Sequence, residues 1–167
     1  MTDPGIVLRS VNGDRAAFMP LLLEADESES VVRAYLNDGE LLELVAAGQP
    51  VGVVLLTSPE PGAVEIKNIA IGREHRSHGI GRAAIKCLAA RARRCGADRL
   101  LVGTADSSRG TIAFYRACGF LDAGRIDGFF DRYPDPVVEN GVQAHDMVRL
   151  EVLLSEVIPW RDPRGSR

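Results

Sequence analysis

The sequence predicts one mixed α/β domain whose sheet is antiparallel in its first half and parallel at its centre. Three observations carry that prediction. Leu41 to Ala46, Val51 to Thr57 and Val64 to Ile71 are apolar-rich runs of strand length, separated only by Gly48-Gln49-Pro50 and Ser58-Pro59-Glu60-Pro61-Gly62, so antiparallel hairpins are the simplest connection. Beyond Ile71 the pattern changes to loop, helix, strand, helix, which returns the chain for parallel pairing. The length of 167 residues, 46% of them hydrophobic, is one domain's worth of material and can bury a core without a metal or disulfide staple.

Taken in order, a short strand near Ile6 to Val11 precedes Asp14, which can cap a helix carrying Ala17, Phe18, Leu21, Leu22 and Ala25 at spacings of three and four. A second helix near Ser30 to Leu36 ends at the turn Asn37-Asp38-Gly39. The three strands named above follow. From Gly79 to Cys95, Ile80, Ala84, Cys87, Leu88 and Ala92 form a helical stripe, and Arg99 to Gly103 reads as a buried strand. A helix from Ser108 to Cys118 is closed by Gly119, the residue type that ends helices in the left-handed conformation. Phe120 to Ile126 and Met147 to Leu154 are the last strands. The domain is drawn at residues 1–157, and residues 158–167 form a polar tail, of which Trp160 to Arg167 read as disordered.

Composition excludes classes rather than choosing one. Three cysteines without a CxxC spacing fit neither a disulfide framework nor a zinc site, so a reducing compartment, the cytoplasm, is expected. The amino terminus lacks the basic and apolar regions of a leader, and no apolar run approaches a membrane span. A net charge of −3 argues against general nucleic-acid binding. The one basic cluster, Arg91, Arg93 and Arg94, falls at a helix end, where cations meet exposed carbonyls.

The most informative segment is VEIKNIAIGREHRSHGIGRAAIKCLAARA, in which a strand feeds a loop whose glycines open a helix. Unpaired N–H groups at a helix start suit an anion, and glycine lets it approach closely. Arg76 and Arg82 flank the glycines and could reach the same ligand, for which a pyrophosphate is the natural guest. No Lys-Ser or Lys-Thr follows the last glycine, which excludes a P-loop. Gly79-Ile80-Gly81-Arg82-Ala83-Ala84 does match the relaxed dinucleotide fingerprint, but the glycines do not follow the strand directly and the next strand-end acid, Asp106, lies too far along. The plain alternative is a tight strand-to-helix turn.

Arg76-Ser77-His78-Gly79-Ile80-Gly81 resembles the acetyl-CoA loop of the GCN5-related N-acetyltransferase (GNAT) family, and Tyr115-Arg116-Ala117-Cys118-Gly119-Phe120 resembles its second signature, a helix ending in Tyr, three residues and Gly-Phe. Both occur in the family's order over residues 5–154, and the stretch from Phe129 through Met147 looks like a branch of small bacterial members. The resemblance implies the family's acyl-CoA N-acyltransferase fold, a mixed, mostly antiparallel sheet with a parallel central pair flanked by helices. It implies direct transfer of acetyl from acetyl-CoA to an amine in a ternary complex, with no metal. The pantetheine arm would pair with Ile69, Ala70 and Ile71. The pyrophosphate would rest on the amides of Ser77, His78, Gly79, Ile80, Gly81 and Arg82, beside Arg76. Ser108 and Thr111, at the start of the tyrosine's helix, complete the cofactor set. Ser108 stands where the family commonly has Asn; it can cap the helix in the same way, with a shorter reach.

Tyr115 takes the family's place for protonating the departing thiolate. A phenol near 10 and a thiol near 8.5 make that transfer uphill by about 2 kcal/mol, within reach of a positioned acid. The alternative is that Tyr115 only packs beside Ile112 and Phe114. A lysine-like acceptor must also lose a proton. Glu65 resembles the base of the histone-acetylating branch, whereas Lys67 on the same strand face would hold it in an ion pair, and relay through water is its rival. The connection Asp127 to Asp146 carries Asp127, Asp131, Asp135, Glu139 and Asp146 among Phe129, Phe130 and Tyr133, a composition that suits a cationic amine. A solvated acidic loop or a homodimer contact through the aromatics are its alternatives. His75 and His78 have no third ligand nearby, and a loop facing phosphate explains them. The expected activity is therefore acetyl-CoA-dependent N-acetyltransfer to a small-molecule or protein amine. A non-catalytic acyl-CoA-binding regulatory module and a nicotinamide-binding domain are the alternatives.

Overall fold

The computed structural model describes residues 4–154, so the tail drawn at 158–167 and the last residues of the domain drawn at 1–157 lie outside the described residues. The chain opens with β1 (Ile6–Ser10), then α1 (Met19–Leu22) and α2 (Glu29–Tyr35). β2 (Glu40–Ala46), β3 (Gln49–Thr57) and β4 (Ala63–Ile71) follow, then α3 (Ile80–Arg94), β5 (Arg99–Ala105) and α4 (Arg109–Ala117). β6 (Leu121–Ile126), a small ribbon of β7 (Val138–Glu139) and β8 (Val142–Gln143), and β9 (Met147–Leu153) complete it. The seven-stranded sheet has the order β1-β2-β3-β4-β5-β9-β6, in which only β4 and β5 are parallel. This is the mixed sheet with a parallel central pair that the sequence predicts.

Two apolar layers cover the sheet. On one face Ile80, Ala84, Ile85 and Leu88 of α3, with Tyr115 of α4, pack on Leu44, Val54, Ile66 and Leu100. On the other, Met19, Leu22, Val32 and Tyr35 pack on Val53, Leu55 and Ala70. The ends of α4 follow local chemistry. Gly119 is left-handed at φ 91°, its N–H donates to the Arg116 carbonyl at 3.0 Å, and the Phe120 N–H donates to the Tyr115 carbonyl at 3.1 Å. This is the two-bond glycine stop, with the Tyr115 and Phe120 rings meeting edge-on.

Two elements depart from the sequence reading. The single helix predicted after Asp14 is split: the Asp14 carboxylate does cap Ala16 N–H at 2.9 Å, but a 3-10 turn over Arg15–Phe18 gives way to the one-turn α1. Pro20 has no N–H to continue the ladder, so a new turn starts with it at the first helical positions, and Ala17 and Ala25 are left exposed. The connection Asp127 to Asp146 is not a plain loop, since it folds into the β7–β8 ribbon. Asn140 and Gly141 both have positive φ, 51° and 76°, which is the turn that matches strand twist.

Candidate active site

The register of β4 makes the site. Against β3, Leu55 faces Asn68 but Leu56 faces Ile66, so one residue of β4 is extra. The bulge resets the alternation of side chains. Ile66 lies in the α3–α4 layer, while Lys67 and Asn68 both reach Tyr35 on the opposite face, the former over its ring at 5.3 Å and the latter at its hydroxyl. β4 and β5 pair only from Ala63–Arg99 to Ile66–Val102 and then part, although β5 remains paired with β9 through Ala105 and β4 with β3 through Ile71. The parting opens a cavity of about 600 Å³ whose walls come from both faces of the sheet.

On the α3–α4 side, with Ala70 turned to the opposite layer, stand many of the residues expected to hold a cofactor. Ile69, Ala70 and Ile71 line the cavity along the unpaired stretch of β4, as do Arg76, Gly81, Ser108 and Thr111. Arg76 donates from Nε to the Ile71 carbonyl at 2.9 Å and pairs with Glu24 at 3.1 Å. Bonding from Arg73, with Arg76 beside it, holds the Glu24 carboxyl below its usual range. Ser77, His78 and Gly79 are exposed at the cavity's rim rather than on its wall. Gly79, at φ 76°, precedes the first turn of α3, which has no side-chain cap, and Ser77 is also left-handed at φ 63°. The backbone N–H groups from Ser77 to Gly81 precede the first bond of the helix, Ala83 N–H to the Gly79 carbonyl at 3.0 Å. Ile80 is buried in the core and anchors the helix start. Arg82 reaches the Ala117 carbonyl at 2.7 Å, tying α3 to the end of α4.

Tyr115 is 4% exposed and lines the cavity. Among the described residues its hydroxyl has no hydrogen-bond partner, although its ring is fixed edge-on between Phe114 and Phe120, each with centroids at 5.3 Å. Burial holds the phenol well above its ordinary 10, so it is protonated at every working pH. The expectation that Ser108 caps α4 is corrected. Its hydroxyl makes no capping bond and donates instead to Glu139 of β7, because the ribbon brings a carboxylate within reach.

The opposite wall was mostly hidden in the sequence. Asn68 is 6% exposed, donates to the Leu22 carbonyl at 3.1 Å and to Tyr35 Oη at 2.9 Å, and its Oδ1 has no partner among the described residues. Tyr35 Oη donates to Asp26 Oδ2 at 3.0 Å, and Tyr133 Oη donates to the same oxygen at 3.3 Å. A polar residue at the centre of an apolar strand was the available signal for Asn68; nothing local marked Asp26. Phe129, Phe130 and Tyr133, whose centroids lie 5.0–6.1 Å apart, line the cavity. The acids of their loop mostly do not: Asp131 pairs with His145, and Asp146 with Arg125. Glu65 is not on the cavity wall and accepts from Thr57 at 3.2 Å, while Lys67 lies over Tyr35.

Comparison with known proteins agrees with this geometry. Residues 11–120 match the acetyltransferase (GNAT) family. The uncharacterized N-acetyltransferase YvbK of Bacillus subtilis (strain 168) is 37% identical over 131 residues, which is 78% of this chain and 84% of that protein. A Bacillus subtilis acetyltransferase crystallised in complex with CoA superposes with a TM-score of 0.80 at 33% identity, covering 89% of this chain and 99% of the other. A GNAT family acetyltransferase of Elizabethkingia anophelis with acetyl-CoA bound gives 0.81 at 31% identity, covering 89% and 97%.

Proposed function

The chain belongs to the GNAT acetyltransferase family, and from that premise we propose that it transfers acetyl from acetyl-CoA to an amine by direct attack in a ternary complex. The observation that carries the reading is the gap between β4 and β5, reached at one end by Arg76 and Gly81 and walled by Tyr115. The stretch of β4 left without β5 offers backbone groups to a pantetheine arm, and the amides at the start of α3 offer a cradle for its pyrophosphate. The relatives solved with CoA and acetyl-CoA support that donor. Cys87, Cys95 and Cys118 form no disulfide among the described residues, which suits a reducing compartment such as the cytoplasm.

The amine lone pair attacks the thioester carbonyl carbon, a C–N bond forms, and the C–S bond breaks. Tyr115 gives its proton to the leaving sulfur, and the proton released by nitrogen restores the phenol through water. Burial makes Tyr115 a weaker acid than a free phenol. The same burial raises the basicity of the thiolate, and one anion replaces another beside it, so the mismatch does not grow in proportion. Because Glu65 lies off the wall, we assign the acceptor's proton to water. Mass spectrometry of an amine panel incubated with acetyl-CoA tests the reading: acetylated product is expected, Glu65→Gln should leave the rate within about twofold, and failure of calorimetry to detect CoA binding would remove the proposal.

A further inference from the structure

Among the described residues Asn68 Oδ1 is an acceptor without a donor, on a buried polar side chain of β4. Exchanging the two amide atoms does not cure this, since it would set an oxygen against the Leu22 carbonyl, which can only accept. Buried acceptors are normally satisfied, and this one belongs to a side chain that lines the cavity, where a ligand can supply the missing N–H. Beside it, Asp26 is fixed as a counter-ion. Burial keeps Tyr35 and Tyr133 protonated, so both must donate to its Oδ2, while Ser28 N–H donates to Oδ1 at 3.3 Å.

The charges on the wall favour the same sign of ligand. Glu24, Asp26, Glu27 and Glu139 face Lys67 and Arg76. Arg76 and Arg73 both pair with Glu24, and the serine hydroxyl on Glu139 leaves its charge in place, so Lys67 stands against Asp26, Glu27 and Glu139 with a negative surplus. Lys67 already covers the Tyr35 ring, so aromatic attraction for a further cation comes from Phe129, Phe130 and Tyr133.

Resting on the acetyltransferase reading above, we infer that this corner holds the acceptor as a primary alkylammonium, with one N–H accepted by Asn68 Oδ1 and its charge balanced by Asp26. Once a proton has left to water, the N–H on Asn68 still holds the nitrogen while its lone pair is free for attack. A small free amine and a polypeptide amino group present the same chemistry.

Calorimetry on the CoA-saturated chain at pH 7 separates these sources, using n-hexylamine against 1-hexanol and the peptide amide Ala-Leu-Gly with a free against an acetylated amino group. At least one cation should bind tenfold or more tightly than its neutral counterpart, and the better of the two identifies the source. Asp26→Asn, which keeps an oxygen for both tyrosines, and Asn68→Leu, which deletes Oδ1 at similar volume, should each abolish most of that preference while CoA affinity stays within twofold. Absence of any preference in the unmutated protein overturns the inference without recourse to a variant, as does a preference that survives either change in protein that still binds CoA. Product detection is read separately: a cation preference without acetylated product sinks the transferase reading and leaves the site. If the unmutated chain fails to bind CoA, the same titrations on the free protein decide the site alone.

Discussion

The Phe120 N–H donates to the Tyr115 carbonyl at 3.1 Å while the two rings meet edge-on, so the residue that stops α4 also fixes the tyrosine on the cavity wall. Glycine at position 119 is what allows that bond. Because Tyr115 is held by its ring and backbone, removal of its hydroxyl should leave the geometry intact. Tyr115→Phe is expected to lower turnover by about 10²-fold or more, as loss of a general acid does. CoA affinity should stay within about twofold in calorimetry. Undiminished single-turnover chemistry would reduce the tyrosine to packing.

The glycine loop makes the complementary prediction. A Cβ on Gly81 would stand 3.3 Å from Phe114 Cζ, and Gly79 is left-handed with open space around it. Gly81→Leu should therefore weaken CoA binding tenfold or more by filling the cavity end. Gly79→Ala should cost about 1 kcal/mol of stability through backbone strain. Equal CoA affinity in Gly81→Leu would place the cofactor elsewhere.

Gly39 is a harder constraint. At φ 55°, a Cβ there would lie 1.9 Å from the Leu56 carbonyl oxygen, a backbone atom in the middle of the sheet. Gly39→Ala should destabilise by about 3 kcal/mol or more, lowering Tm by roughly 6–12 °C for a chain of this size. Thermal unfolding within about 2 °C of the parent would contradict the turn geometry.

The Asp127 to Asp146 connection should be held best over a bounded pH range. The Gly128 N–H and then Arg125 hold the Asp146 carboxyl below its ordinary 3.8, so that anchor is complete above 3.8 and is lost as pH falls through the depressed value. Asp131 holds His145 above its ordinary 6.5, so that anchor is complete below 6.5 and is lost as pH rises through the raised value. Amide-exchange protection of Gly128, corrected for intrinsic rates, should plateau between the two and fall on both sides. A curve that rises steadily with pH would refute the pairing.

Much of the fold was legible because its signals are local. Gly119 marked the end of α4, Asp14 marked a helical start, and the turns around Gly48 and Pro59 placed the hairpins. Pro20 was equally local, and its missing N–H was enough to foretell the split before α1. Asn140-Gly141 was likewise a readable hairpin turn. The wall that carries the glycine loop and Tyr115 was legible through contiguous motifs. The opposite wall was not, because Asp26, Tyr35, Asn68 and Tyr133 meet only after a bulge that period-two reading of β4 cannot locate. The acids near residues 127–146 were legible as composition but not as contacts: Asp146 pairs with Arg125 of β6 and Asp131 with His145.

The bulge at Lys67 has an evolutionary consequence. Because it places Lys67 and Asn68 together on the face of Tyr35 while Ile66 stays in the α3–α4 layer, the two walls of the cavity are lined by different side chains of one strand. On the proposed function, substitutions around Asp26, Tyr35 and the Phe129 to Tyr133 segment would redraw what is accepted while the loop at Gly79 and Gly81 stays as it is. Descendants of one ancestral sequence can thus part company in diet without relearning how to hold their common coin.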